Sequence, residues 1–173
     1  MKKLLYLTFI PALFWMFIIF GFSKESGGES SSMSLAVTQK IVDIIDFNER
    51  MTEEEYEHMV SILHNPVRKA AHMSEYAVLA FLIYIPLLLN IRFKKTYEYF
   101  IVTILVCLIY AAADEIHQLF VPGRDGRITD VMIDSIGSVA ASLIFLGIHN
   151  FAHRKIVSKR EQRLHRKQQT LGN

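Results

Sequence analysis

Apolar blocks about as long as a bilayer is thick alternate along this chain with short, intensely charged connections, and few folds tolerate that alternation. The first block, Leu4 to Phe22, is almost continuously apolar and follows Lys2-Lys3. At about 1.5 Å per residue it reaches roughly 28 Å, one hydrocarbon thickness. The chain is 51% hydrophobic yet 21% charged, so the two populations must be segregated rather than mixed. Its 173 residues suffice for one domain, and no internal repeat or second soluble unit is visible. The fold class expected is all-α: a polytopic membrane protein of four transmembrane helices, over about 4–22, 69–91, 99–118 and 129–148, in a membrane domain 1–150 with a basic tail 151–173. The single cysteine, Cys107, lies inside an apolar block and reads as a small buried hydrophobe.

The first span is expected to be retained rather than cleaved, because no small-x-small site precedes Ser23-Lys24-Glu25; Pro11 is a candidate kink. Ser26-Gly27-Gly28-Glu29-Ser30-Ser31-Ser32 reads as a flexible polar connector. Between it and the second span, Ile41, Val42, Ile44 and Ile45, and then Met59, Val60, Ile62 and Leu63 behind a Thr52/Glu55 capping box, outline one or two amphipathic surface helices. Neither is long or apolar enough to cross a bilayer. Pro66 is placed to open the second span, since proline is tolerated in a first helical turn. Pro122-Gly123 marks a turn before the fourth. Gly137 with Ala141 gives a small-x3-small packing surface on that span.

Orientation follows from lysine and arginine, which set topology more than acids do. With four spans, one side collects Lys2, Lys3, Arg92, Lys94, Lys95 and seven residues of the tail, twelve of the nineteen basic residues. Both termini are therefore expected in the cytoplasm and segment 23–67 outside it. The basic tail adjoins a span, so it suits anionic lipid better than nucleic acid.

This topology brings the polar ends of three spans to one layer. Lys69, His72, Glu75 and Tyr76 from the second, Asp114, Glu115 and Gln118 from the third, and Arg124, Arg127, Asp130 and Asp134 from the last connection and span share the outer interface. Lys69, His72 and Tyr76 fall on one helical stripe with Glu75 beside it, while Asp114/Gln118 and Asp130/Asp134 are i, i+4 pairs. Arg68, Lys69, Arg124 and Arg127 give four positive charges against six from Glu75, Asp114, Glu115, Asp125, Asp130 and Asp134. An excess of carboxylates suits a cation, a cationic group or a shared proton. His72, Glu75, Glu115 and Asp130 are the candidates for acid–base chemistry, and His72, Glu115 and Asp130 for holding a metal. A hydrogen-bonded packing role for His72 is the simpler one, since no second histidine stands at ligand spacing: His117 is offset and His64 falls in the preceding loop. A purely structural ion-pair layer accounts for the same residues.

In these residues the chain resembles the VanZ-like family of bacterial membrane proteins. The resemblance is carried by Lys69-x2-His72-x2-Glu75-Tyr76, by Asp114-Glu115-x2-Gln118-x3-Pro122-Gly123-Arg124-x5-Asp130-x3-Asp134-x2-Gly137, and by Phe22-Ser23, and covers most of the chain from Leu4 to about Gly147. Members commonly carry asparagine where Asp134 stands. The resemblance implies a small helical protein of the bacterial cytoplasmic membrane, in a family named for a member that raises resistance to the glycopeptide teicoplanin. It supplies no reaction and no catalytic residue. Two functions follow as expectations. One is a non-catalytic envelope protein whose polar layer, from Lys69 to Asp134, binds an antibiotic, a lipid or a lipid-linked envelope intermediate. The other is a membrane enzyme in which the carboxylates hold a divalent metal and His72 serves as base or ligand, acting on a lipid-linked substrate. Ion translocation is weaker, because the ionisable residues stop in one half of the bilayer, and no sequence motif names a cofactor. A phosphatase reporter active only outside the cytoplasm, fused after Asn173, should stay silent in intact cells; activity there would reverse the orientation.

Overall fold

A computed structural model describes residues 6–47, 50–124 and 126–171. Leu4 and Leu5, where the first span is expected to start, and Asp125 of the charged layer lie outside the described residues, as do the tail side chains from 163 onward. The described chain is all-helical. A 3-10 turn, Tyr6–Phe9, leads into α1 (Ile10–Ser23); α2 (Gly27–Ile45), α3 (Glu53–Asn90), α4 (Thr96–Gln118) and α5 (Ile128–Leu171) follow. Four of these helical segments are long and apolar enough to cross a membrane: Tyr6–Ser23, Glu53–Asn90, Thr96–Gln118 and Ile128–Lys159.

Pro11 does not kink α1. It stands in the first turn, where a missing N–H costs nothing, and the helix begins there. The serine-rich connector is not a loop either, since α2 starts at Gly27 and Ser30 N–H already bonds to Ser26 O at 3.0 Å. Tertiary packing overrides the low helix propensity of glycine and serine. Thr38 and Val42 are fully buried, and His64 of α3 lies 2.8 Å from Ser34 Oγ, pinning α2 along α3. The tip of this hairpin is closed by Tyr56 O–H donating to Asp43 Oδ1 at 2.8 Å.

The capping box forms as expected: Glu55 N–H reaches Thr52 Oγ1 at 3.3 Å and Thr52 N–H reaches Glu55 Oε2 at 2.8 Å. It starts a 38-residue helix, not a short surface one. The second amphipathic segment is thus the N-terminal extension of the second span. Pro66 sits inside α3 rather than opening it, and His64 is helical rather than in a loop. Proline at 66 leaves the Ile62 carbonyl without its usual i+4 donor, which solvent can replace, as Ile62 and Pro66 are both exposed. At about 1.5 Å per residue α3 is about 57 Å long, nearly twice a hydrocarbon core. Its apolar part is the C-terminal stretch from Ala77 onward.

The core lies where α3, α4 and α5 cross, around Tyr76, Leu79, Ala80, Ile83, Tyr84, Cys107 and Ala111, with Ala12 and Ile19 of α1 against it. Trp15 Nε1–H donates to the Glu75 carbonyl at 2.9 Å and Tyr110 O–H donates to the Met16 carbonyl, tying α1 to α3 and α4. The buried hydroxyls of Thr103 and Ser138 turn back on carbonyls of their own helices, those of Tyr99 and Ser135. Tightest of all is the crossing of α5 over α3. A Cβ at Gly137 would run into the backbone carbonyl of Met73.

Gly137→Ala should therefore destabilise the protein by about 1–3 kcal/mol, because backbone cannot move aside as a side chain does. Gly147→Ala is the control: a Cβ there meets nothing, and helix propensity alone should favour it by up to about 1 kcal/mol. Thermal unfolding midpoints of the two variants in detergent would show opposite signs.

Candidate functional site

The charged layer is built by three helix segments and one turn. Asp114, Glu115 and Gln118 close α4, Asp130 and Asp134 occupy the first two turns of α5, and residues 65–75 of α3 pass beside both. Between α4 and α5 the backbone bonds Arg124 N–H to Val121 O at 3.2 Å, with Pro122 second and Gly123 third at φ 72°. That is a type II turn, and glycine is there because the third position needs positive φ. Glu115 Oε1 accepts from Arg127 N–H and anchors the other end of the loop.

A polar cavity of about 220 Å³ opens in this layer. Of the ten residues expected to bind a ligand, Lys69, His72, Glu115, Gln118, Arg124, Asp130 and Asp134 line it together. Glu75 and Asp114 do not. They line a second cavity of about 160 Å³ on the α1 and α2 side, walled mainly by apolar groups including Ile19, Phe22, Met33, Val37 and Val67. Tyr76 lines neither: it is buried beneath them, its ring 6.3 Å from that of Tyr110. Arg68, His72, Gln118 and Arg124 belong to both cavities and form their common wall. Asn65 and Ile133 also line the polar cavity and were not legible as site residues, since an amide and an isoleucine carry no pattern of their own.

Arg124 is the best-anchored cation. Its Nε–H donates to the Glu25 carbonyl at 3.0 Å and its Nη2 to the Phe22 carbonyl at 3.1 Å. Both partners are neutral, at the end of α1 and just past it, so the guanidinium is oriented without being neutralised. Burial, then the nearby Arg68 charge, presses its pKa below the ordinary arginine value, with Asp114, Glu25 and Glu115 opposing. An arginine so placed still stays charged. His72 Nδ1 lies 3.7 Å from Glu75 Oε2 on the next turn. Gln118 donates to Asp114 Oδ2 at 3.1 Å, whereas Asp114 Oδ1 and Asp134 Oδ1 are buried with no hydrogen-bond partner among the described residues.

The sign of the site changes with this geometry. Of the six carboxylates counted in the layer, Glu75 and Asp114 face the second cavity and Asp125 lies outside the described residues. The polar cavity proper is lined by Arg68, Lys69, Arg124 and Arg127 against Glu115, Asp130 and Asp134. It is no longer acidic. His72, Glu115 and Asp130 share it, yet among the described residues no three His, Cys, Asp or Glu side chains are grouped to hold a metal ion.

A family model described as VanZ/LLP1 matches residues 8–150, most of the chain. The chain belongs to the VanZ/LLP1 family. Searches of curated proteins and of solved structures returned no match. The family match spans α1 to the middle of α5 and so contains every residue of both cavities. VanZ-like membership and four spans capable of crossing a bilayer make this a multi-pass membrane protein.

Gly123→Ala should cost about 1–2 kcal/mol, the penalty of left-handed backbone for a residue with a Cβ. Gly123→Asn, which tolerates that region better, should recover part of the loss. Thermal midpoints ordered glycine, asparagine, alanine would establish the turn; equal midpoints would dismiss it.

Proposed function

We propose that this chain binds an amphiphilic component of the bacterial cell envelope from the extracytoplasmic side of the cytoplasmic membrane, and through it confers tolerance of teicoplanin-type glycopeptides. The observation that carries the reading is the common wall of Arg68, His72, Gln118 and Arg124, with a polar cavity on one side and an apolar one on the other. A ligand that fills both must have a polar end and an apolar end, which describes a lipid or lipid-linked intermediate better than a soluble solute. The two cavities lie side by side, against the same stretch of α3 and the end of α4, so one molecule can reach both. The excess of lysine and arginine on the opposite connections supports placing them outside. Family membership supplies the link to glycopeptides.

Expressed in a susceptible Gram-positive host, the wild-type chain should raise the teicoplanin inhibitory concentration severalfold. Glu115→Ala removes the acceptor that holds the loop at Arg127 N–H, and Asp130→Asn removes a cavity carboxylate; either should abolish the increase while membrane levels of the protein stay the same. No increase with the wild-type chain would sink the tolerance reading. An increase that survives both substitutions would detach it from this site.

A further inference from the structure

We infer that the amphiphile bound here carries a phosphate, seated in the polar cavity against Arg68, Lys69 and Arg124 with its hydrocarbon chain in the adjoining apolar cavity; this rests on the amphiphile reading above and names the headgroup. Three observations support the phosphate. Arg68 and Lys69 line the cavity and form no ion pair with any described carboxylate. Arg124 is fixed by two backbone carbonyls, which consume two of its five N–H donors and leave three for a ligand. Arg68 and Arg124 line both cavities and so border the same space. A planar guanidinium pair and an ammonium converging from α3 and from the type II turn match the bidentate and point-charge recognition that phosphate oxygens accept.

The carboxylates do not contradict this assignment. Glu115 is occupied by the Arg127 N–H. Asp130 and Asp134 stand on α5, across the cavity from the cations of α3, and there accept hydrogen bonds from the hydroxyl or amino groups that a phosphate-linked headgroup carries. The apolar cavity is lined by Ile19 and Phe22 of α1, Met33 and Val37 of α2, and Val67 and Ala71 of α3, together with the carboxyl-bearing Glu25, Glu75 and Asp114, so that its walls are mainly but not wholly apolar. It begins at the very side chains, Arg68 and Arg124, that would hold the phosphate. Charge alone would suit free phosphate equally; the apolar extension selects the lipid.

The full chain, purified in a non-ionic maltoside detergent, is titrated by native mass spectrometry with dioleoyl phosphatidic acid, dioleoylglycerol and inorganic phosphate. Phosphatidic acid should bind at least about tenfold tighter than either of the others. Arg68→Gln/Lys69→Gln should weaken it by about tenfold or more, and the charge-preserving Arg68→Lys/Lys69→Arg pair should restore most of the loss. Ala71→Trp, which fills the apolar cavity, should weaken phosphatidic acid while leaving inorganic phosphate unchanged. Dioleoylglycerol binding as tightly as phosphatidic acid, or charge-neutralised protein binding it normally, overturns the phosphate assignment. Inorganic phosphate binding equally well makes free phosphate the ligand. A cationic amphiphile, oleoylcholine, separates the two levels: if it binds and phosphatidic acid does not, the phosphate falls and the amphiphile stands. If no amphiphile of either charge binds, both fall.

Discussion

The close approach of α5 to α3 at Gly137 governs the rest of the molecule. With no side chain at 137, the α5 backbone lies against the Met73 carbonyl, and that contact fixes the crossing point of the two longest helices. Asp134 is one turn before Gly137 and His72 is next to Met73, so the same contact brings these side chains to one cavity wall. A larger residue at 137 would separate the helices and open the cavity. Packing and site are therefore one constraint here: the smallest side chain of the layer sets the positions of its charged ones. The α1 contacts work in the same direction, since Trp15 donating to the Glu75 carbonyl and Tyr110 donating to the Met16 carbonyl hold α1 where its last carbonyls can receive Arg124.

Ionisable groups at this depth are expensive, and the chain limits the expense by position and by partner. They occupy the end of α4, the start of α5 and the stretch of α3 that precedes its apolar part. Glu115 takes a backbone N–H, Gln118 serves Asp114, His72 lies beside Glu75, and Arg124 takes carbonyls instead of a carboxylate. That last choice matters most. A site designed only for cohesion would pair the arginine with an acid, as the structural account of this layer requires. Instead, the cations of α3 and the turn are left facing a cavity.

Much of this architecture is written in the sequence. Four apolar blocks give the spans, Thr52 and Glu55 give the α3 start, and Pro122-Gly123 gives the turn, because each signal is local and has one physical solution. Seven of the ten residues expected to share a site do line one cavity, since helices of opposite direction bring alternate ends together. What is not legible depends on contacts between distant segments. Ser26 to Ser32 reads as a linker until Thr38, Val42 and His64 show that α2 has α3 to pack on. Pro66 reads as a helix start because its neighbours in sequence do not reveal that thirteen residues before it are already helical. Tyr76 shares a stripe with Lys69 and His72, but a stripe two turns long passes from solvent into core. The net charge of the layer is likewise a poor guide to the charge of the cavity, as Glu75 and Asp114 belong to its neighbour.

The two cavities give the layer its meaning through the four residues they share. A polar pocket alone at a membrane edge would suit a solute or an ion, and an apolar pocket alone would be one more surface for lipid tails. Joined at Arg68, His72, Gln118 and Arg124, they ask for a molecule that changes character along its length at that wall. The change falls across the bundle, from the α5 side of that wall to the α1 and α2 side. α2, lying along α3 with Met33 and Val37 against the apolar cavity, supplies one of its walls. The segment that looked least structured in the sequence thus completes one of the two cavities, because burial against α3 gives it a structure that its own composition does not.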